Sequence, residues 1–325
     1  MVSEFDLIRQ FFTHPHRHTV LGVGDDAALI QPRPGKVIAV SSDMLVAGRH
    51  FFPDTDPYRL GRKTLAVNLS DMAAMGAEPR WATLSIAMPS ADTQWLQPFA
   101  QGFFDEAQVH DVDWVGGDTT SGPLNVSVTI MGELSADQAM RRDAAKLGDD
   151  IWVSGTIGDA AMGLAVLKNQ VRFGSEDQDY CVRRLEQPTA RVDLGLQLAG
   201  LAHSAIDLSD GLMADLGHIL KASGMGADLY LAQLPMSAAL KNCPYPAQVS
   251  EVMLSGGDDY ELCFTASADS EEAINEAARV AHTPVIKIGK VVSTLGLRVI
   301  DANGNLVIAK RRGFDHFAEQ SAQQQ

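Results

Sequence analysis

Five stretches of this chain set aspartate against glycine: Gly22-Val23-Gly24-Asp25-Asp26, Gly116-Gly117-Asp118, Gly158-Asp159, Asp207-Leu208-Ser209-Asp210-Gly211 and Gly256-Gly257-Asp258-Asp259. Glycine lets a backbone bend sharply or come close to a ligand. Carboxylates gathered at such places repel one another by about 4 kcal/mol per close pair at an effective dielectric near 20, unless divalent cations neutralise them. Backbone amides and acids together suit phosphate bridged by a hard cation such as magnesium. The pattern predicts a metal-dependent handler of phosphate compounds.

Two further places fit that chemistry. Ser41, Ser42 and Asp43 follow the β-type run Val37 to Val40 and supply three consecutive oxygen side chains at what reads as a strand end. Asn68 and Asp71, spaced i and i+3, share one face of an otherwise apolar helix, where a buried carboxylate needs a partner. Each element also has an ordinary reading, as a turn acid, a solvated helix stripe, or a helix cap at Ser209 or Asp210. Cap and ligand are compatible, because a helix N-terminus can orient a carboxylate toward metal. His14, His16 and His18 read as exposed loop histidines, and Cys263 as a core residue. The chain has no Gly-x-x-x-x-Gly-Lys-Ser/Thr loop, protein-kinase catalytic loop, dinucleotide fingerprint or Gly-x-Ser-x-Gly elbow. Any ATP must be held by another architecture.

The elements that position these residues are mixed. Ser3 and Asp6 open a short helix that ends near His14-Pro15. Asp56 as cap and Pro57 at the first helical position start a long helix that stops at Gly76. Strands are expected at 81–88, 112–115 and 124–131, with a helix from Asp92 to Val109. After the polar stretch 135–150 come a strand at 151–154, a turn at 155–158 and a helix at 160–167. A hydrophilic loop is expected around 174–179, then helices near 192–202 and 212–223 and strands near 227–231, 260–265 and 285–291. The terminal 319–325 reads as frayed.

A length of 325 residues suits two domains, with the boundary near residue 137. With 26 basic and 41 acidic residues the net charge is -15, which argues against a nucleic-acid partner and makes cations the natural intermediaries for a polyanionic ligand. Three scattered cysteines form no disulfide framework and no Cys-x-x-Cys pair, so a reducing, cytoplasmic setting is expected. No signal-peptide pattern and no membrane-spanning run is present in the sequence.

Seven segments in order, from Gly22-Val23-Gly24-Asp25-Asp26-Ala27 through Ala66-Val67-Asn68-Leu69-Ser70-Asp71-Met72-Ala73-Ala74-Met75-Gly76-Ala77 and Ile206-Asp207-Leu208-Ser209-Asp210-Gly211-Leu212 to Ser255-Gly256-Gly257-Asp258-Asp259-Tyr260-Glu261-Leu262 and Gly313-Phe314-Asp315-His316-Phe317, make the chain resemble the thiamine-monophosphate kinase family. The other two are Ser42 to Phe51 and Gly116 to Thr120. That family lies in the group that includes aminoimidazole ribonucleotide synthetase. The resemblance implies two mixed α/β (α+β) domains, 1–137 with metal and nucleotide sites and 138–325 completing the nucleotide and substrate sites. It also implies a homodimer in which N-terminal domains pair their sheets. It places magnesium ligands at Asp26, Ser41, Ser42, Asp43, Asp71, Asp118, Asp207 and Asp210, and ATP contacts at Gly117, Asp118, Arg142 and Ser209. Thiamine monophosphate falls to His50, Asp258 and Phe314. Where the family commonly has Gly-Gly-Glu-Asp this chain has Asp258, and where it commonly has Tyr or Trp this chain has Phe314. The implied reaction moves the γ-phosphoryl group of ATP directly onto thiamine monophosphate, with several magnesium ions and no protein nucleophile or base. Two rival readings stand beside it: another ATP-dependent enzyme of the same group, and a non-catalytic metal-nucleotide sensor.

Overall fold

The computed structural model describes residues 4–308 and Gly313, and the chain divides into two compact units, Met1–Ala139 and Met140–Gln325. The first contains α1 (Glu4–Phe11), β1 (Thr19–Leu21), β2 (Leu29–Ile30), β3 (Val37–Val46), α2 (Pro57–Met75), β4 (Glu78–Met88), α3 (Thr93–Val109), β5 (Asp113–Ser121) and β6 (Asn125–Leu134). Its main sheet has the order β3-β6-β4-β5, antiparallel except for β4 beside β5. Helices α2 and α3 pack on each other, and α2 lies against β3, β4 and β6.

The signals read at the ends of α2 are the ones that form it. Asp56 accepts from the Arg59 amide, Pro57 occupies the first turn, and Gly76 closes the helix at φ 67°. The helix pair meets at two glycines: a Cβ on Gly61 would fall 2.0 Å from the Phe99 carbonyl oxygen, and one on Gly102 would fall 2.0 Å from that of Tyr58. Asp113, at the start of β5, holds the segment before β1 by accepting from the amides of Arg17 and His18 and from the Thr19 hydroxyl.

The second unit contains β7 (Asp150–Ser154), α4 (Asp159–Leu167), α5 (Ser175–Glu186), α6 (Val192–Leu198), β8 (Ser204–Asp207), α7 (Leu212–Ser223), β9 (Gly226–Tyr230), α8 (Ala238–Asn242), α9 (Pro246–Ser255), β10 (Leu262–Ala266), α10 (Glu271–Val280), β11 (Val285–Val292), β12 (Gly296–Ile300) and β13 (Leu306–Val307). Its seven strands run β13-β12-β9-β11-β7-β10-β8, antiparallel except for the parallel pair β12 and β9. Cys263 is fully buried in β10, as its apolar strand predicts. Among the described residues no helix is long and apolar enough to cross a membrane.

Several expectations are corrected. Ser41 to Asp43 lie inside β3, which continues to Val46 along β6, and Asp118 lies inside β5, which continues to Ser121 along β4. The loop expected around 174–179 is the first turn of α5, whose only buried residues are Cys181 and Leu185, so its sequence carries almost no apolar periodicity. The strand expected from Tyr260 begins at Leu262, because Tyr260 has φ 51°. Helix α6 stops at Leu198, short of 202. The short strands β1, β2, β8, β12 and β13 and the helices α8 to α10 were not foreseen. His16 and His18 are half-buried, and His18 Nε2 sits 2.8 Å from Asp111 and 3.0 Å from Arg80. Ser3 and the terminal residues 319–325 lie outside the described residues.

Gly61→Ala and Gly102→Ala should each cost about 2 kcal/mol in urea unfolding, because the helix pair must separate to admit a methyl group against backbone. Unchanged midpoints would show that the crossing relaxes freely.

Candidate active site

In the first unit two of the acids read from the sequence, Asp43 and Asp71, meet where α2 crosses β3. Along a helix i and i+3 share a face, and along a strand i and i+2 do. Asp71 and Asn68 accordingly face Ser41 and Asp43: the Ser41 hydroxyl donates to Asp71 at 2.5 Å, and the Asp43 amide donates to Asn68 Oδ1 at 3.2 Å. The Asn68 amide in turn donates to the Thr64 carbonyl, which fixes its orientation. Burial pushes the Asp43 carboxyl up to about 6, and neighbouring Asp71 adds to the rise. Two carboxylates and a hydroxyl drawn together in this way form a hard oxygen donor set suited to magnesium.

The period of two divides the triplet that the sequence put together. Ser42 faces away from Ser41 and Asp43, on the side of the sheet where Val40 and Met44 are 63% and 56% exposed, and its hydroxyl is taken by the Val128 carbonyl and Thr129. Asp118 pairs with Ser85, which pairs with Ser127, and Ser127 pairs with Met44, so Asp118 falls in the row of Met44 on that same outer side. Gly117 is required by close packing, since a Cβ there would lie 1.7 Å from the Leu84 carbonyl oxygen. Asp26 is exposed on the loop that joins β1 to β2. His50 follows β3 after Gly48, and its Nδ1 accepts from the Val46 amide at 3.0 Å, which leaves the proton of a neutral ring on Nε2. Among the described residues no three His, Cys, Asp or Glu side chains gather closely enough to hold a metal ion.

In the second unit two acidic loops lie backbone to backbone. The Asp258 amide donates to the Ser209 carbonyl, the Tyr260 amide to that of Leu208, and the Leu208 amide to that of Glu261. Both crossing points are glycines: a Cβ on Gly257 would lie 2.3 Å from the Ser209 oxygen, and one on Gly211 would lie 2.8 Å from the Ser255 carbonyl carbon. Ser209, Asp210 and Asp258 are thereby set on adjoining turns, with Asp207 at the end of β8 leading into the first of them. Asp258 and Tyr260 have φ 67° and 51°, a conformation that costs a non-glycine residue about 1 kcal/mol each. Neither Ser209 nor Asp210 caps α7. Gly211 is the cap residue, and Asp215 from the first turn accepts the Asp210 and Gly211 amides. Burial pushes Asp215 up to about 7, with Asp210 beside it adding to the rise. Gly313 packs against this turn, its ideal Cβ 2.4 Å from that of Ala214 and 3.1 Å from the Asp210 oxygen; Phe314 itself lies outside the described residues.

Arg142 is exposed and stands apart from these turns within its unit. Its carbonyl accepts from Ser223 at the C-terminal end of α7, a helix whose 12 residues span about 18 Å. Gly158-Asp159 belongs to the interior: Asp159 is fully buried and accepts from Thr156 and Ser237. Sequence reasoning missed the acids behind Asp258. Asp259 accepts the amides of Gly158 and Ala160 at the start of α4, and Glu261 receives Arg184, Arg191 and Ser154. A charged residue directly before the apolar run Leu262 to Ala266 was the available signal.

Residues 24–134 match the N-terminal domain of AIR synthase related proteins and residues 146–302 match the C-terminal domain. The thiamine-monophosphate kinase of Escherichia coli O157:H7 is 44% identical over 320 residues, covering 97% of this chain and 98% of its own. The chain belongs to the thiamine-monophosphate kinase family. The crystal structure of the family member from Stenotrophomonas maltophilia K279a matches with a TM-score of 0.86 at 45% identity, covering 94% of this chain and 98% of that one. AaThiL, solved in complex with AMPPCP and TMP, matches with a TM-score of 0.77 at 29% identity over 97% of each chain. As a thiamine-monophosphate kinase family member the chain is a phosphotransferase with two mixed α/β domains.

Because Asp43 has a raised pKa in the folded state, its contribution to the stability of metal-free protein is greatest below about pH 4 and is lost as pH rises through about 6. Asp43→Asn should therefore stabilise the protein in EDTA by about 2 kcal/mol at pH 8, and the gain should vanish near pH 4. Equal thermal shifts at both pH values would remove the buried charge as the cause.

Proposed function

We propose that this chain transfers the γ-phosphoryl group of ATP directly to the phosphate of thiamine monophosphate, giving thiamine diphosphate and ADP. The observation that carries this is the 44% identity to a thiamine-monophosphate kinase across 97% of the chain. The complex of AaThiL with AMPPCP and TMP supports the pair of ligands. Both reactants are anionic at neutral pH, so the task is to place two polyanions in line, and the accepting phosphate needs no base to remove a proton. Cysteine chemistry is poorly served here: Cys181 is buried and its thiol is pushed up to about 12, chiefly by that burial.

Magnesium ions, when bound, would screen the repulsion between the two polyanions. Ser41, Asp43 and Asp71 would form one ligand group in the first unit, and Asp26, Ser42 and Asp118 would serve other ions. In the second unit Asp207 and Asp210 would serve as metal ligands, and Ser209 between them would contact the nucleotide. Gly117 offers backbone to the nucleotide, and Arg142 contacts a part of it remote from the phosphates. His50, Asp258 and Phe314 hold thiamine monophosphate, Phe314 by an aromatic face toward the cationic thiazolium or the pyrimidine. The outer side of the four-stranded sheet, with Val40 and Met44 exposed, is the surface of a homodimer. Three buried free cysteines support a reducing, cytoplasmic setting.

Incubation with ATP, magnesium and thiamine monophosphate should yield thiamine diphosphate and ADP in equal amounts. ATP binding without product would favour the nucleotide sensor. Asp71→Asn should lower turnover at least about a hundredfold at ordinary magnesium while leaving the fold intact by circular dichroism; near-normal activity would take Asp71 out of the mechanism. Val40→Glu with Met44→Glu should convert a dimer to monomer in sedimentation, and a monomeric wild type would dismiss the dimer.

A further inference from the structure

Glu261 is a carboxylate with no solvent exposure, and its own carbonyl accepts the Leu208 amide in the paired loop contacts. Arg191 grips it with both arms of its guanidinium, Nε to Oε2 at 2.6 Å and Nη2 to Oε1 at 2.5 Å. Arg184 adds a bond to Oε1 at 2.8 Å and a second to the Asp259 carbonyl at 3.2 Å. Ser154 donates to Oε2 at 2.6 Å while accepting the Leu262 amide at 2.8 Å. The surroundings are shaped to this group: Gly155, at φ 55°, would place a Cβ 2.2 Å from Oε1. A bidentate, charge-assisted arrangement of this kind fixes direction as well as position.

The segment before it needs such a fixture. Asp258 and Tyr260 both hold left-handed backbone, and the Asp258 amide must meet the Ser209 carbonyl for the two acidic loops to lie together. We infer that Glu261, clamped by Arg184 and Arg191, is a positioning residue that holds Asp258 in its left-handed conformation and so sets the substrate loop against the Asp207 to Asp210 turn. Arg191 commits Nε and Nη2 to Glu261, while Arg184 commits Nη2 to Glu261 and the loop carbonyl and its buried Nε has no partner among the described residues; the side chains of Arg184 and Arg191 retain only 12% and 17% exposure. The inference rests on the reading that Asp258 contacts thiamine monophosphate.

Two variants and two readouts test it. Glu261→Gln removes the charge, and the milder Arg191→Lys keeps a cation but loses the fork. In ligand-free protein, amide exchange across residues 256–261 should quicken at least tenfold in both, with β7 and β11 unchanged. The KM for thiamine monophosphate should rise at least tenfold, while that for ATP stays within twofold. Unchanged exchange, or KM values that move equally for both substrates, would overturn the proposal. If Glu261→Gln does not fold, Arg191→Lys decides. If the wild type makes no thiamine diphosphate, the functional reading fails and the exchange measurement still judges the clamp.

Discussion

A carboxylate taken out of water must receive hydrogen bonds, a counter-charge or a proton, and the structure of both units follows from how each buried acid is supplied. Asp113 and Asp259 receive backbone amides, Asp159 receives hydroxyls, and Glu133 and Glu261 receive arginines. Each of these acids ties together segments distant in sequence and thereby fixes a loop or a sheet edge. Asp43 is treated differently. The influences on it, burial and the adjoining Asp71, both favour the protonated form. Structural and functional acids are separated by what surrounds them, since the side chains are chemically the same.

Close backbone approach is the second device. In the second unit the turns around Ser209 and Asp258 touch through amides and carbonyls, and glycines at 211 and 257 leave the room for it. Contacts between main chains do not depend on long, flexible side chains, so the neighbouring acids start from a well-defined frame. Asp215 completes the frame from beneath by taking the amides at the start of α7, which spares Ser209 and Asp210 from capping the helix.

Much of this was legible in the sequence. Asp56, Pro57 and Gly76 bracket α2 because capping chemistry is local, and Asn68 with Asp71 announced a polar patch on an apolar helix for the same reason. The Gly-Asp elements other than Gly116-Gly117-Asp118, which lies inside β5, marked bends of the chain, and in the second unit two of them do converge. Non-local facts were hidden. Nothing near Glu261 in sequence names Arg184 and Arg191 as its partners: Arg184 sits on α5, which buries so little apolar surface that its first turn reads as loop, and Arg191 directly precedes α6. Ser41, Ser42 and Asp43 looked like one ligand set because adjacency was read where alternation governs. The full-length kinship with thiamine-monophosphate kinases removes the enzyme rivals that motifs alone left open.

That alternation bears on how the chain can change over evolutionary time. Strand β3 offers Ser41 and Asp43 to α2 and turns Val40, Ser42 and Met44 outward, so a single deleted codon would swap hydrocarbon for carboxylate along both surfaces at once. Descendants of this sequence can exchange residues along β3 one at a time, but they cannot alter its length by one.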